Sequence, residues 1–238
     1  MRFAILSDIH ANLEALETAD AYLRRHSLDE IFVLGDTVGY GANPVECLEW
    51  TFGRAKVALM GNHEKGVTDA SLLDWFNPLA REAIVWTAKI LPEKLKQKIR
   101  ELQYVRLERQ FSLTHSSLHE PEQFHYLLSF QDSIPTFKVM KTRICFVGHT
   151  HIPSCFMETP GVGMYTREGE IKIEGEKRYV LNPGSVGQPR DQDKRLSFGI
   201  YDDEKGVFEI VRLEYDAPKA ARKILAAKLP EYLATRLL

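Results

Sequence analysis

Short apolar runs that end at Asp, Asn or His recur along this chain, and they constrain its fold more than any other feature. Because β-branched, leucine and aromatic residues dominate these runs, each is predicted to be a short buried strand. The first three runs and the polar residues that follow them are residues 3–6 with Asp8-Ile9-His10, residues 31–34 with Gly35-Asp36, and residues 57–60 with Gly61-Asn62-His63-Glu64.

Helical patterns lie between these runs. Apolar residues in the segment 11–25 recur near helical spacing, and Pro44 opens a second predicted helix that continues to Phe52. The order βαβαβ predicts parallel strands joined by crossover helices. Ligands of such open sheets bind beyond the carboxyl ends of the strands, so the polar residues are expected to meet at one edge.

Residues 66–102 are predicted to be helical, with breaks near Pro78 and Pro92. The segment contains Trp75, Phe76 and Trp86. Aromatic residues at such spacing belong to a core more often than to a cofactor site, so we interpret the segment as a cap or packing insert.

The rest of the chain is predicted to be mixed. We expect one or two strands in 104–114, a helix in 124–138 and a strand in 144–147. Short β-prone runs separated by turns recur from Pro153 to Leu213, including one at 163–166, and predict a second, antiparallel sheet. A helical tail follows in 217–238. No linker or repeat interrupts the pattern, so residues 1–238 are predicted to form a single domain.

Two later segments carry further candidate ligands. Thr114-His115 follows a strand-like run, and Gly148-His149-Thr150-His151 follows residues 144–147. His119 and His125 are alternatives to His115, which we prefer because it follows a strand directly. Any one of these histidines alone fits a hydrogen-bonded core residue, but together they indicate a metal cluster.

The residue types suit divalent cations. Mn²⁺, Fe²⁺ and Zn²⁺ accept mixed carboxylate and imidazole ligands. In an extended segment, residues two apart such as Asp8 and His10 would direct both side chains to one face. Two ions held ~3.5–4 Å apart clamp the oxygens of a phosphoryl transfer, and they need a shared carboxylate between them.

The five polar blocks, in this order, resemble the calcineurin-like metallophosphoesterase family, which shows D-x-H, G-D, G-N-H-[DE], H and G-H-x-H. The resemblance covers residues 1 to about 190. It implies a four-layer α/β/β/α sandwich of two mixed sheets flanked by helices, with 66–102 as a helical insert. It also implies two divalent metal ions, with Mn²⁺ favoured and Fe, Ni or Zn as alternatives.

The resemblance further implies a role for each residue. Asp8, His10 and His151 would hold the first metal, Asn62, His115 and His149 the second, and Asp36 would bridge them. A metal-bound hydroxide would attack the phosphorus. His63 would stabilise the phosphoryl oxygens or protonate the leaving oxygen, and Glu64 would orient His63 or cap the following turn.

Some segments bear on specificity. The run Gly35-Asp36-Thr37-Val38-Gly39-Tyr40-Gly41 lacks the arginine of G-D-x-x-D-R-G, so the chain resembles small bacterial and archaeal phosphoesterases rather than protein phosphatases. A turn-rich run at 181–190 ends in Arg190, whose guanidinium, with backbone N–H groups of the run, would meet a phosphate. The alternative is a tight corner between strands. Tyr40 either lines the substrate site or packs in the core.

Composition narrows the function. The formal net charge is -2, which disfavours a long nucleic-acid substrate but not a small phosphoester or nucleotide. Three cysteines without a C-x-x-C pair suit a reducing compartment, and no membrane-spanning stretch is seen, so we expect a cytoplasmic protein. A homo-oligomer is allowed for. Hydrolysis of a phosphodiester is favoured over a phosphomonoester. The competing hypothesis is a non-catalytic scaffold or assembly subunit with the same fold.

Overall fold

The structure is a computed structural model, and it describes residues 1–159, 162–165 and 168–238. Its first part alternates strands and helices as predicted. The elements are β1 (Arg2–Leu6), α1 (Leu13–Arg25), β2 (Glu30–Val33), α2 (Pro44–Arg54), β3 (Val57–Ala58) and α3 (Asn62–Thr68). Asn12 caps α1 by accepting the N–H of Ala15, and Pro44 stands in the first turn of α2, so both helices begin where the sequence predicts.

The helical insert is confirmed. A 3₁₀ turn (Ala70–Trp75) is followed by α4 (Pro78–Ile90) and α5 (Glu93–Arg100). Asn77 caps α4 by accepting the N–H of Ala80, and Pro92 directly precedes α5. The two prolines therefore separate the helices, because proline suits a first helical turn but not a helix interior.

The middle of the chain departs from prediction in one place. It contains β4 (Val105–Leu107), β5 (Phe111–Thr114), a 3₁₀ turn (Pro121–Gln123), α6 (Phe130–Val139) and β6 (Ile144–Phe146). The helix predicted from Phe124 begins only at Phe130, because Ser129 and Asp132 form a capping box that fixes its start. Residues 124–128 are thus a loop.

The described residues after β6 form six strands and two helices. They are β7 (Ser154–Met157), β8 (Val162–Tyr165), β9 (Gly169–Lys172), β10 (Tyr179–Asn182), β11 (Leu196–Asp202), β12 (Val207–Leu213), α7 (Ala217–Ala226) and α8 (Glu231–Thr235). The run predicted at 163–166 ends at Thr166, which lies outside the described residues.

The strands form two mixed sheets. The first has the order β3-β2-β1-β11-β12-β9, with β1, β2 and β3 parallel and the remaining pairs antiparallel. The second has the order β4-β5-β6-β10-β7-β8, with β5, β6 and β10 parallel. The prediction that the runs after Pro153 form a sheet of their own is wrong. These strands are divided between both sheets, since β1 and β6 each need a partner along their second edge.

The two sheets face each other across the main core. Phe3 of β1 contacts Phe111 of β5, with ring centroids 5.3 Å apart, and Phe146 contacts Phe208 at 5.2 Å. The outer face of the first sheet packs on α1 and α2 through residues such as Leu16, and that of the second packs on α6. The predicted four-layer α/β/β/α sandwich is therefore confirmed.

The helical tail packs on the body of the protein. Residues of α7 and α8 form one apolar cluster with Tyr40 and with Ala80 and Ala83 of α4. Lys223 of α7 also lies 2.6 Å from the buried carboxylate of Glu14 on α1. Within the described ranges, no helix has the length and apolar character that a membrane crossing requires.

Candidate metal centre and substrate cavity

The predicted site residues converge at the carboxyl ends of β1, β2, β5 and β6. Most of them are almost fully buried, and Asn62 is half-buried. The backbone that carries them differs from the expectation. The segments that follow the strands were expected to be extended, and they are not. Five of the seven predicted ligands have positive φ angles: Asp8 (54°), His10 (51°), Asp36 (52°), His149 (67°) and His151 (61°). Non-glycine residues rarely adopt this conformation, and it concentrates at functional sites.

The first group consists of Asp8, His10 and His151. The Nε2 atom of His151 lies 3.3 Å from Oδ1 of Asp8 and 3.0 Å from Nε2 of His10. Each imidazole directs Nδ1 at a backbone carbonyl, His10 at Val38 (3.0 Å) and His151 at Gln188 (2.6 Å). A carbonyl can only accept, so each Nδ1 carries the proton and each neutral ring turns the Nε2 lone pair inward.

The second group consists of Asp36, His115 and His149, whose potential ligand atoms lie within 4.8 Å of one another. Nε2 of His115 is 3.4 Å from Oδ2 of Asp36 and 3.2 Å from Oδ1 of Asn62. Its Nδ1 faces the carbonyl of Leu34 at 3.2 Å. The structure brings His115 into this cluster, whereas His119 and His125 are exposed and stack on each other outside it.

Asp36 lies between the two groups. Its Oδ2 is 3.7 Å from Nε2 of His10 and 3.4 Å from Nε2 of His115, so the same oxygen faces one imidazole from each group. Its Oδ1 accepts the backbone N–H of His63 at 2.9 Å. Among the described residues, Asp36 is the carboxylate that belongs to two clusters of potential ligand atoms, one with His10 and His63 and one with His115 and His149.

The electrostatics of the site reflect burial opposed by close charges. Burial raises the pKa of Asp8 to about 7, with Asp36 adding to the rise and His115 opposing it. Burial also acts to raise the pKa of Asp36, but His115 and His63 outweigh it and hold that pKa well below its usual value. Burial opposes a charge on His115, yet Asp36 raises its pKa to about 9. A cation bound by His115 would take the place of that proton.

The residues present fit divalent cations. Oδ1 of Asp8 and Nε2 of His149 are buried without a hydrogen-bond partner. The Nε2 atoms of His10 and His151 face each other at 3.0 Å, although neither ring carries a proton there. Burial lowers the pKa of both imidazoles well below the usual value, so protonation does not relieve the contact at neutral pH. A cation binding both nitrogens would satisfy them.

Comparison with known proteins decides the family. The description of a calcineurin-like phosphoesterase superfamily domain matches residues 1–206. An uncharacterized protein of Methanocaldococcus jannaschii is 38% identical over 239 residues, covering 98% of this chain and 96% of that one. This chain belongs to the calcineurin-like phosphoesterase superfamily. It is accordingly a metal-dependent phosphoesterase, for which small phosphoesters are the expected substrates.

Solved structures agree with this assignment. A metallophosphoesterase from Sphaerobacter thermophilus superposes with a TM-score of 0.90 at 33% identity, over 100% of this chain and 98% of that one. A hypothetical protein from Pyrococcus horikoshii shares the fold, with a TM-score of 0.80 at 16% identity over 99% and 97% of the two chains. The arrangement of two mixed sheets flanked by helices is therefore shared with a metallophosphoesterase along the whole of this calcineurin-like chain.

Glu64 holds the backbone next to the candidate ligands through hydrogen bonds. Its carboxylate accepts backbone N–H groups from Asp36 (2.7 Å), Gly61 (3.1 Å) and Val38 (3.1 Å). Of the two roles predicted for it, the structure therefore favours capping, because these contacts join the start of α3 to the loop after β2. In this calcineurin-like site Glu64 fixes the backbone that carries Asp36.

The run 181–190 also supports the ligands, and this corrects one expectation. Its N–H groups are used inside the protein: Val186 donates to the carbonyl of Ser7, Gly187 to Asp8, and Gln188 to the hydroxyl of Ser185. These amides are not free for a phosphate. The carbonyl of Gln188 faces Nδ1 of His151, so the run supports a candidate metal ligand.

His63 and Arg190 face a cavity above the ligands. The ring of His63 lies 4.7 Å from that of His10 and 4.6 Å from that of Tyr40, and its Nδ1 is buried without a hydrogen-bond partner. Arg190 stands over Tyr40, 6.0 Å from the ring centroid. Tyr40 therefore both packs in the core and lines the cavity.

Sequence reasoning missed the walls of this cavity. Trp75, expected in a core, is 73% exposed and lines the cavity beside Phe76. Phe124 and Tyr126 line it as well, although the sequence pattern placed them in a helix. The motif Ser129-Phe130-Gln131-Asp132 could have revealed the loop, because Ser and an acidic residue three positions later signal a helix start.

Proposed function

We propose that this calcineurin-like protein hydrolyses small phosphoesters with two divalent cations that share Asp36. Asp8, His10 and His151 would hold one cation, and Asn62, His115 and His149 the other. The observation that carries the proposal is the position of Oδ2 of Asp36, which faces both His10 (3.7 Å) and His115 (3.4 Å). When bound, such a pair of cations polarises the phosphoryl oxygens and lowers the pKa of water.

The side chains around the ligands would act on the substrate. Burial lowers the pKa of His63 to about 4, so its ring is neutral at pH 7 and can donate an N–H to a phosphoryl or leaving oxygen. An arriving phosphate anion would raise that pKa, because a nearby negative charge favours the imidazolium. Arg190, on the same cavity wall, would pair with a phosphoryl oxygen.

We propose Mn²⁺ as the preferred metal, with Fe, Ni or Zn as substitutes, because the donors mix carboxylate, amide and imidazole. We propose a phosphodiester rather than a phosphomonoester as substrate. The cavity of about 350 Å³ leaves room for an organic group beyond the phosphate, which a substrate of either kind carries.

We further propose that residues 1–238 work as a single unit in the cytoplasm. The family match ends at residue 206, yet α7 and α8 pack against Tyr40 of the cavity. The three cysteines are free and buried, which suits a reducing compartment.

The test is metal analysis joined to a substrate panel. The protein, loaded with Mn²⁺, Fe²⁺, Ni²⁺ or Zn²⁺, is assayed on aryl phosphates, aryl phosphodiesters and nucleotides. We expect about two ions per chain and diester hydrolysis. His63→Ala should keep its metal and lose roughly 10²–10⁴-fold in kcat, whereas Asp36→Asn should lose metal as well. His26→Ala, at the residue that follows α1, is the control. No hydrolysis of any substrate, or no bound metal, would overturn the proposal.

A further inference from the structure

The cavity above the candidate metal ligands has aromatic walls. Its volume is about 350 Å³, within the ~300–1,000 Å³ typical of small-molecule sites. The candidate ligands, with His63, form its floor. In addition to Tyr40, five aromatic side chains from three chain segments line the space above: Trp75, Phe76, Tyr104, Phe124 and Tyr126. A phosphate needs no such surroundings, so the walls indicate the chemistry of the organic group attached to it.

Two of these rings are exposed. Trp75, at the end of the first 3₁₀ turn, is 73% exposed, and Tyr126, in the loop after residue 123, is 51% exposed. One side of Tyr126 packs on His149, with ring centroids 4.0 Å apart and planes inclined by 31°. The rest of its surface remains available for contact. A group stacked on the free face of Tyr126 is therefore separated from the candidate ligand His149 by a single ring, and a phosphate attached to that group would extend to the floor.

The other three rings are held more firmly. Phe124 packs against His115 and against Tyr104, with centroids 5.9 and 6.0 Å apart, and Phe76 packs edge-on to His63 at 5.6 Å. These contacts tie the cavity walls to the candidate catalytic residues. Trp75 and Tyr126 thus differ from their neighbours in presenting much of their ring surface to the solvent.

The charges of the cavity argue against a purely anionic ligand. Lys65 and Arg190 supply positive charge, but Glu122 is also part of the lining, and Lys65 lies 3.7 Å from Asp69. The two proposed cations would hold one phosphate at the floor, but a polyphosphate chain or a nucleic-acid strand would call for further cations along the walls above it. Aromatic faces with few charges suit one flat ring system instead, because base–aromatic stacking tolerates any base with a π-face.

We propose that the cavity selects phosphoesters whose organic group is a planar aromatic system of the nucleobase type, stacked on Tyr126 and Trp75. The inference rests on the proposed function only in placing the phosphate at the metal ligands. Tyr126 and Trp75 are then specificity-determining residues. They contact the organic group, whereas the candidate ligands and His63 contact the phosphate.

The test measures binding, independent of turnover. Mn²⁺-loaded protein is titrated by calorimetry with two phosphonates that differ only in the base: the phosphonate analogue of adenosine monophosphate and that of ribose 5-phosphate. Their P–C bond resists hydrolysis. We expect the adenosine compound to bind at least ~10-fold more tightly, which corresponds to ~1.4 kcal/mol. Tyr126→Ala and Trp75→Ala should each reduce this ratio, and the double variant should bring it close to one.

Controls separate stacking from general effects. Tyr232→Ala removes an equally exposed tyrosine on α8 and should leave the ratio unchanged. Tyr126→Phe should also retain it, since the ring is kept. Equal affinity for the two phosphonates in the unmodified protein, or an undiminished ratio in the double variant, would overturn the inference. Selective binding by a protein that hydrolyses no phosphoester would instead leave this inference standing and refute the proposed function.

Discussion

Asp36 donates its backbone N–H to Oε2 of Glu64 across 2.7 Å, in a position where Glu64 is almost fully buried. The proposed bridging ligand is thus anchored by a residue 28 positions away that contacts no cation in the proposed arrangement. The same carboxylate accepts from Gly61 and Val38, so one side chain satisfies three backbone donors around the centre.

Replacement of Glu64 should therefore damage both stability and metal binding. Glu64→Ala leaves three buried N–H groups without acceptors, and we expect a loss of at least ~3 kcal/mol in the free energy of unfolding. Glu64→Gln keeps one acceptor oxygen and should lose less. Urea denaturation and metal content measure the two effects. Unchanged metal content in a folded Glu64→Ala protein would show that the carboxylate does not position Asp36.

Removal of metal should destabilise the protein. Chelation leaves the Nε2 atoms of His10 and His151 opposed at 3.0 Å, whereas a ligand present at 100 times its Kd contributes ~3 kcal/mol. We expect chelator to lower the Tm and added Mn²⁺ to restore it. His151→Ala should respond less to both treatments, and His26→Ala should respond like the unmodified protein. A Tm insensitive to chelator in a protein shown to lose its metal would contradict this prediction.

Gly39 should be needed for the position of His63. Its φ angle is 87°, and a Cβ atom there would overlap Nδ1 of His63. Gly39→Ala should displace the imidazole and lower kcat by about 100-fold while metal content is kept, as expected for loss of a general acid. Gly53→Ala is the control, because open space surrounds Gly53 on α2. Normal turnover by Gly39→Ala would argue against a role for His63.

The metal-free protein should lose stability as the pH falls. Burial lowers the pKa of His63 from 6.5 to about 4, so between these values the unfolded state binds a proton that the folded state does not. Stability must then rise with pH across this window, by up to roughly 3 kcal/mol for this one group. His63→Gln should flatten the dependence measured by urea denaturation between pH 4.5 and 7. If the free energy of unfolding depended on pH in the same way in the unmodified protein and in His63→Gln, the assignment of a neutral His63 would be contradicted.

Lys223 should stabilise the docking of α7. Its Nζ lies 2.6 Å from the carboxylate of Glu14, whose side chain is only 3% exposed, while Lys219 lies at 3.3 Å and is more exposed. Removing the Lys223 cation leaves the buried negative charge of Glu14 less compensated. The resulting loss in the free energy of unfolding is moderate, because Lys223 is partly exposed to water. We expect Lys223→Met to lose ~1–2 kcal/mol and Lys219→Met less than ~1 kcal/mol. Denaturation midpoints compare them, and equal losses would refute the ranking.

The sequence by itself determined the strand ends and the residues they carry. Apolar runs followed by Asp8, Asp36 or His149 are local patterns, and local patterns fix where a strand stops and which polar group comes next. The prolines at 78 and 92 divided the helical insert for the same reason. The order of five blocks then pointed to one family, which the comparisons confirmed.

Tertiary structure alone decided how these residues meet. The alternation of apolar and polar residues along a strand does not identify the sheet that the strand joins. The sequence therefore did not predict that β11 and β12 belong to the first sheet. The left-handed turns at His10 and His151 arise because the surrounding structure holds them, since a residue other than glycine rarely adopts that conformation. The cavity walls come from segments that are distant in the sequence. Trp75 and Tyr126 line the same cavity only because the chain packs as it does, and no short-range sequence pattern predicts this.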